Sequence, residues 1–227
     1  MIGNWHAIRA QGGTAEELLV SFDEERAMRV LILPALFDEA NKLRRFTLDV
    51  MRALDLAGID SFLPDLPGCN ESLAPLVDQT LESWRGAAAA VSEEVSATHV
   101  LAIRAGTLVA PVTMPGWHYA AQTGPKLLRG MLRARTIAAR EAGREESSEA
   151  LLSLGRQEGL ELAGWQLGAA MFRGLESAEP VQSEATETIT QKELGGPGLW
   201  LRAEPGEAPD QARALAAIIS AGSEETA

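Results

Sequence analysis

The sequence feature with the clearest chemical meaning is a short turn after an apolar segment. Ala102-Ile103-Arg104-Ala105-Gly106 closes such a segment and has the layout of a nucleophile elbow, a Gly-x-Ser-x-Gly turn that raises a serine above a sheet. Arg104 stands at the serine position, while Gly106 retains the final glycine. A guanidinium stays protonated and cannot attack an acyl group. The sequence therefore predicts the geometry of an elbow without its nucleophile.

The other members of a serine triad are also missing from their expected places. Behind such an elbow, an acid and then a histidine follow along the chain. The histidines are His6, His99 and His118, so none follows residue 118. No aspartate occurs between Asp78 and Asp210. These absences argue against a Ser-Asp-His hydrolase.

Three other side chains are candidates for catalysis. Cys69 and Ser72 lie in one loop with no histidine near them in the sequence, so a small buried thiol and a turn serine are the simpler interpretations. His118, within Pro115-Gly116-Trp117-His118-Tyr119, is interpreted more simply as a packed or surface histidine.

Arg104 is also a candidate for ligand binding. It ends an apolar strand, and ligands of parallel sheets bind beyond the carboxyl ends of the strands. A buried guanidinium needs a counter-charge. Glu39, Asp65 or an anionic ligand could supply it, and the sequence leaves these alternatives open.

Further residues could bind an anion with Arg104. Asn41, Lys42 and Arg44 follow the first buried strand, although nearby acids could neutralise these cations. Arg135 falls in the middle of the apolar face of a predicted helix, where it must pair with a core carboxylate or reach a site. We therefore predict a ligand site that includes Arg104, Asn41, Lys42, Arg44 and Arg135.

The same predicted helix carries a row of cations. At 100° per residue, five of them lie within about 60° of one another. They are Lys126, Arg129, Arg133, Arg140 and Arg144. The simplest interpretation of this basic row is a solvated helix face.

Hydrophobic patterns place these residues in an α/β fold with a parallel sheet. Continuous apolar runs alternate with segments in which apolar residues recur at helical spacing, and short connections join them. This order is typical of βαβ units. We predict strands at 16–22, 29–36, 59–63, 99–103 and 199–203, and helices at 41–57, 76–95, 124–143, 147–155, 168–175 and 208–220. Acidic and Ser/Thr-rich residues, closed by Gly-Gly-Pro-Gly, predict a flexible loop over 176–198.

Composition and net charge exclude several classes of function. The chain has 227 residues and a net charge of −12, which predicts one domain over 1–227 and argues against a global attraction to nucleic acid or to an anionic membrane. The single cysteine excludes an intramolecular disulfide, and no apolar run is long enough to span a membrane. The N-terminal sequence lacks the pattern of a secretory signal, so we expect a cytoplasmic protein. Neither a nucleotide-binding loop nor a metal-ligand spacing occurs, and we expect no cofactor and no metal.

Several segments, taken in order over residues 16–175, resemble a known family. They are Pro34-Ala35-Leu36-Phe37-Asp38-Glu39-Ala40-Asn41-Lys42-Leu43-Arg44-Arg45, Leu63-Pro64-Asp65-Leu66-Pro67-Gly68-Cys69-Asn70-Glu71-Ser72, Trp84-Arg85, Gly124, Leu132-Arg133-Ala134-Arg135 and Leu162-Ala163-Gly164-Trp165-Gln166-Leu167. The family is exosortase A system-associated hydrolase type 2, of Gram-negative exopolysaccharide loci. The resemblance implies an α/β-hydrolase fold with a reduced helical insertion, a role in exopolysaccharide biosynthesis or export, and protein partners from that system. The family name reflects the fold and does not establish activity.

Taken together, these observations favour a degenerate hydrolase that binds an anionic or sugar-like small ligand. Two alternatives stay open. One is an active ester or thioester hydrolase with a non-standard nucleophile, and the other is an interaction protein with a vestigial pocket.

Overall fold

A computed structural model describes residues 1–8 and 13–224 as alternating strands and helices. The strands are β1 (Ile2–Ile8), β2 (Thr14–Phe22), β3 (Arg29–Leu33), β4 (Asp60–Pro64), β5 (His99–Ile103), β6 (Gly116–Tyr119), β7 (Leu160–Leu162), β8 (Trp165–Leu167) and β9 (Thr186–Ile189). The helices are α1 (Asp38–Leu56), α2 (Leu81–Glu94), α3 (Gly124–Glu141), α4 (Ser148–Gln157), α5 (Ala169–Leu175), α6 (Gln191–Leu194) and α7 (Pro209–Glu224).

Seven of the strands form one sheet in the order β1-β2-β4-β3-β5-β6-β9. The five strands from β4 to β9 in that order are parallel, and β1 and β2 are antiparallel to their neighbours. The predicted α/β fold with a mostly parallel sheet is therefore confirmed. The β7–β8 hairpin, α3, α4 and α5 form an insertion between β6 and β9.

The sheet is buried on both faces because its central strands are apolar on both. In β3, Val30 and Ile32 pack into one hydrophobic cluster with α1 and α7, while Leu31 and Leu33 pack into a second with α2 and the insertion. This alternation follows from the period of two along a strand. It explains why the sequence shows a continuous apolar run rather than alternation.

Local sequence fixes the starts of the helices that flank the site. Asp38 and Glu39 occupy the first turn of α1, where carboxylates interact favourably with the helix dipole. Thr80 and Ser83 form a reciprocal capping box at α2. This box places the start of α2 at Leu81, later than the predicted start at residue 76, and a 3₁₀ turn precedes it.

The sheet edges differ most from the sequence prediction. The strand β1 was not predicted, because most of its side chains are exposed and only Trp5 and Ala7 face the core. The strand β9 and the helix α6 lie within 176–198, so the loop prediction is wrong for their residues, while flexibility of the rest stays a prediction. The predicted strand at 199–203 is also wrong, since Leu199–Leu201 is a 3₁₀ turn.

Within the described residues, no helix is long and apolar enough to cross a membrane.

Candidate functional site

The turn after β5 has the strained backbone of an elbow. Arg104 has a φ of +54°, a left-handed conformation that costs a non-glycine residue about 1–2 kcal/mol. Gly106 packs so closely on the β3 end that a Cβ there would lie 2.4 Å from the Pro34 carbonyl oxygen and 2.5 Å from that of Leu33. Only glycine fits such a contact with backbone atoms. The turn therefore has the strain and the close packing expected of an elbow.

The Arg104 side chain is held from three sides. Its Nε and Nη2 atoms donate to the two carboxylate oxygens of Glu39 at 2.9 and 3.0 Å, and Nη1 donates to the Ala120 carbonyl oxygen at 2.8 Å. The guanidinium carbon lies 4.0 Å from the ring centre of Trp200, in a cation–π contact. The side chains of Arg104 and Glu39 are only 6% and 15% exposed. The counter-charge of Arg104 is thus Glu39, through a bidentate, nearly buried ion pair.

The other triad positions hold no acid–histidine pair in the described structure. Gln191 follows β9 and accepts a hydrogen bond from the Tyr119 hydroxyl, while Glu193 is used to cap α6 at Thr190. His118 lies in β6 and is buried, and burial lowers its pKa. Because neighbours along a strand face opposite sides, His118 points away from the Tyr119 and Trp200 rings.

Comparison with solved structures identifies the fold. The mouse alpha/beta hydrolase domain-containing protein 10 superposes with a TM-score of 0.55 over 99% of this chain and 100% of that one, at 10% identity. A candidate hydrolase of Agrobacterium vitis S4 gives 0.51 over 77% and 71%, at 15% identity. Smu.1393c of Streptococcus mutans gives 0.50 over 99% and 97%, at 12% identity. The chain has the α/β-hydrolase fold. At such identities the likeness covers the fold alone.

No protein-family model matches the chain, and neither does any curated protein sequence. Within the α/β-hydrolase fold, function must therefore be argued from the side chains themselves.

Neither of the two alternative nucleophiles is hydrogen-bonded to a histidine in the described structure. The Ser72 hydroxyl accepts hydrogen bonds from the backbone N–H groups of Gly68 at 2.8 Å and Ala74 at 3.1 Å, and donates to a carboxylate oxygen of Glu17 at 2.9 Å. These bonds tie Ser72 into its turn. Burial, helped by the carboxylates of Asp65 and Glu17, raises the pKa of Cys69 to about 12. A thiol with that pKa holds almost no thiolate at neutral pH.

The predicted cations after β3 are spread along α1 rather than gathered around Arg104. Lys42 pairs with Asp38 at 2.9 Å, one helical turn earlier. Arg44 reaches Asp65 at 3.3 Å, and Asn41 is exposed. Each cation therefore already has a carboxylate partner, and the structure does not bring them together into one anion site.

Arg135 is remote from these residues in the sequence and forms its own pair. Its Nε and Nη2 atoms donate to Glu146 at 2.8 and 3.0 Å, and Nη1 donates to the Glu161 carbonyl oxygen at 2.6 Å. The expectation that Arg135 is buried in the apolar face is wrong, since its side chain is 26% exposed. Of the two predicted alternatives for Arg135, the structure shows the pair with a carboxylate, although that pair lies outside the core.

A cavity of about 500 Å³ lies near the carboxyl end of β4 and was not predicted. It is lined by parts of β1 and β2 and by the segment that leads into α2. The lining residues are Ala7, Ile8, Ala15, Glu16, Glu17, Pro67, Leu73, Ala74, Pro75, Asp78, Gln79 and Ser83. Its walls are mainly apolar, with three carboxylates and no cation among these residues. The one sequence signal was Glu17, an acid at an inward position of a strand.

Proposed function

We propose that this chain is a degenerate α/β-hydrolase-fold protein that binds a sugar-like small ligand and does not hydrolyse esters. The observation that carries the proposal is the ion pair at the elbow. Where the fold places its nucleophile, Arg104 is locked between Glu39, the Ala120 carbonyl and the Trp200 ring.

The Arg104–Glu39 ion pair argues against acyl transfer in two ways. Arg104 has no nucleophilic atom, and its side chain lies nearly buried against the first turn of α1. That turn follows the loop from which an active hydrolase of this fold donates an oxyanion-hole N–H group. Opening the site would leave two uncompensated charges, at a cost of several kcal/mol.

The cavity beside β1 and β2 supports ligand binding of a particular kind. Glu16 and Asp78 supply carboxylate oxygens, and Gln79 supplies a further polar group. Each carboxylate oxygen accepts hydrogen bonds, so a hydroxyl-rich ligand has partners here, while the apolar walls can cover its C–H surface. An anionic ligand would be repelled by the carboxylates. The cavity therefore favours the sugar-like form of the predicted ligand over the anionic form.

The biological part of the proposal comes from sequence resemblance. The resemblance to exosortase A system-associated hydrolases implies an accessory role in exopolysaccharide biosynthesis or export, with partners from that system. A hydroxyl-rich ligand in the cavity agrees with such a role. A cytoplasmic location is part of the same proposal.

Two measurements test the two halves of the proposal. We expect no turnover of p-nitrophenyl esters above a denatured control and no labelling by a fluorophosphonate. A thermal-shift screen with neutral sugars, amino sugars and sugar phosphates should show stabilisation by neutral or amino sugars. That stabilisation should weaken in Asp78→Asn, which alters the cavity, and persist in Glu149→Gln, an exposed acid on α4.

Other outcomes would support the alternatives. Ester turnover that disappears in Ser72→Ala or Cys69→Ala would establish an active hydrolase with a non-standard nucleophile. Absence of both turnover and sugar-dependent stabilisation would leave the interaction protein with a vestigial pocket.

A further inference from the structure

The segment 95–140 differs in charge from the rest of the chain. It contains no acidic residue and six basic ones, in a protein whose net charge is −12. Five of these six cations lie on α3. The acidic excess is carried by other segments, so one helix concentrates positive charge that the net value conceals.

The exposed side of α3 forms a basic face. We define it as Lys126, Arg129, Arg133, Ile137 and Arg140, all exposed. Among the described residues, Arg135 is the only cation of α3 with a carboxylate within salt-bridge distance. The cations of the basic face therefore have no internal partner there.

The basic face is held firmly towards the outside. The opposite side of α3 is buried in the core by Leu127, Leu128, Met131, Leu132 and Ala139. The helix begins at a Thr123 cap, whose hydroxyl accepts from the Lys126 N–H. From Lys126 to Arg140 the face extends about 21 Å along a straight helix. It offers a row of charges on a convex ridge rather than a groove.

We propose that the basic face docks this protein on an anionic lipid bilayer. Clusters of four or more Lys and Arg on an amphipathic helix bind anionic headgroups. Ile137 lies among the cations and is 49% exposed, which suits the interface between headgroups and acyl chains. A phosphate backbone offers no matching apolar contact, and the basic face carries no aromatic side chain for stacking on bases.

The net charge of −12 does not prevent this contact. At physiological ionic strength the screening length is about 8 Å, so acids on the far side of the molecule do not sense the bilayer. Glu141 and Glu145 lie near the carboxyl end of α3 and weaken the field there. The strongest attraction therefore lies between Lys126 and Arg140.

Vesicle sedimentation tests the proposal. The full chain should sediment with phosphatidylcholine vesicles that contain phosphatidylglycerol, and not with phosphatidylcholine alone. Raising the salt from about 0.01 M to about 0.15 M should weaken binding, because the screening length falls from about 30 Å to about 8 Å. Each cation contributes roughly fivefold to the partition coefficient. The triple variant Arg129→Gln/Arg133→Gln/Arg140→Gln should therefore bind on the order of 100-fold more weakly.

A matched control separates the basic face from total charge. The variant Arg45→Gln/Arg52→Gln/Arg213→Gln removes the same charge from arginines that already pair with acids, and should bind vesicles like wild type. Ile137→Ser should weaken binding at unchanged charge. Circular dichroism checks the folding of each variant.

Three results would overturn the proposal. The first is failure of the wild-type chain to bind anionic vesicles at low salt. The second is an equal loss in both triple variants. The third is tighter binding to duplex or single-stranded nucleic acid than to vesicles, with no effect of Ile137→Ser, which would make the basic face a nucleic-acid site.

Discussion

The Arg104–Glu39 pair should be a large single contribution to stability, and removing one partner tests this directly. In Arg104→Ala, the Glu39 carboxylate, now only 15% exposed, loses two hydrogen bonds and its counter-charge. Breaking a buried ion pair from one side costs about 3–5 kcal/mol. Loss of the Trp200 contact adds roughly 0.5–2 kcal/mol. Partial hydration of Glu39 reduces this cost, so we expect Arg104→Ala to lower the free energy of unfolding by about 4 kcal/mol.

Urea unfolding monitored by tryptophan fluorescence provides the assay. If the m-value is unchanged, the urea midpoint should fall in Arg104→Ala and in Glu39→Gln. In the double variant Arg104→Met/Glu39→Met, the free energy of unfolding should fall less than in either single variant. The reason is that a well-packed apolar pair avoids the uncompensated charge. Arg104→Gly should be more stable than Arg104→Ala by about 1 kcal/mol, since glycine has no penalty at a φ of +54°.

The reasoning would be refuted by either of two results. If the free energy of unfolding of Arg104→Ala lies within about 0.5 kcal/mol of the wild-type value, the ion pair does not stabilise the fold. If the losses in the two single variants simply add in the double variant, the two side chains are not coupled. Either result would also reopen the site to a ligand anion bound by Arg104.

Three further predictions concern single positions. In thermal melts, Gly106→Ala should destabilise the fold strongly, because the added Cβ would meet two carbonyl oxygens. Gly130→Ala in α3 should instead stabilise the fold by about 1 kcal/mol, because the space around its Cβ is open. The pKa of Cys69 is raised to about 12. At pH 8, Cys69 should therefore react with iodoacetamide much more slowly in the native chain than in urea. Equal rates in the two conditions would contradict the argument that burial raises this pKa. In an NMR titration, the Glu94 carboxylate should hold the pKa of His6 above its usual value, while burial should hold that of His118 below it. Because a lowered folded-state pKa makes protonation favour unfolding, the stability that His118 confers should fall as the pH drops through about 6.5, and His118→Gln should flatten that fall.

The central fold could be predicted because its signals are local. Apolar runs identify β3 and β5, and helical spacing identifies α1. The edge strands gave no such signal. In β9 only Ile189 is buried, and the strand forms because its backbone pairs with β6. That pairing depends on tertiary contacts, which an acidic Ser/Thr-rich sequence does not reveal.

The candidate site shows a similar division. The elbow was predicted from Arg104 and Gly106, but sequence could not choose between Glu39 and Asp65 as the counter-charge. That choice depends on where α1 begins relative to the end of β5. In the structure Asp65 is already occupied by Arg44 and by Asn70, whose amide donates to it at 2.6 Å. The cavity was missed because its lining comes from distant segments, with no motif in any of them.

The elbow shows how a strained turn can persist without a nucleophile. Strain at active sites is ordinarily retained because the chemistry requires the exposed side chain. Here Gly106 must lie against the carbonyl groups at the end of β3 for the sheet and turn to pack, and that contact fixes the path of the chain through Arg104. A side chain at this position then points towards α1 and the loop after β6. An arginine that bonds to Glu39 and Ala120 stabilises those two segments against the strained turn. The geometry is thus maintained by packing and by an ion pair, and it does not by itself indicate acyl transfer.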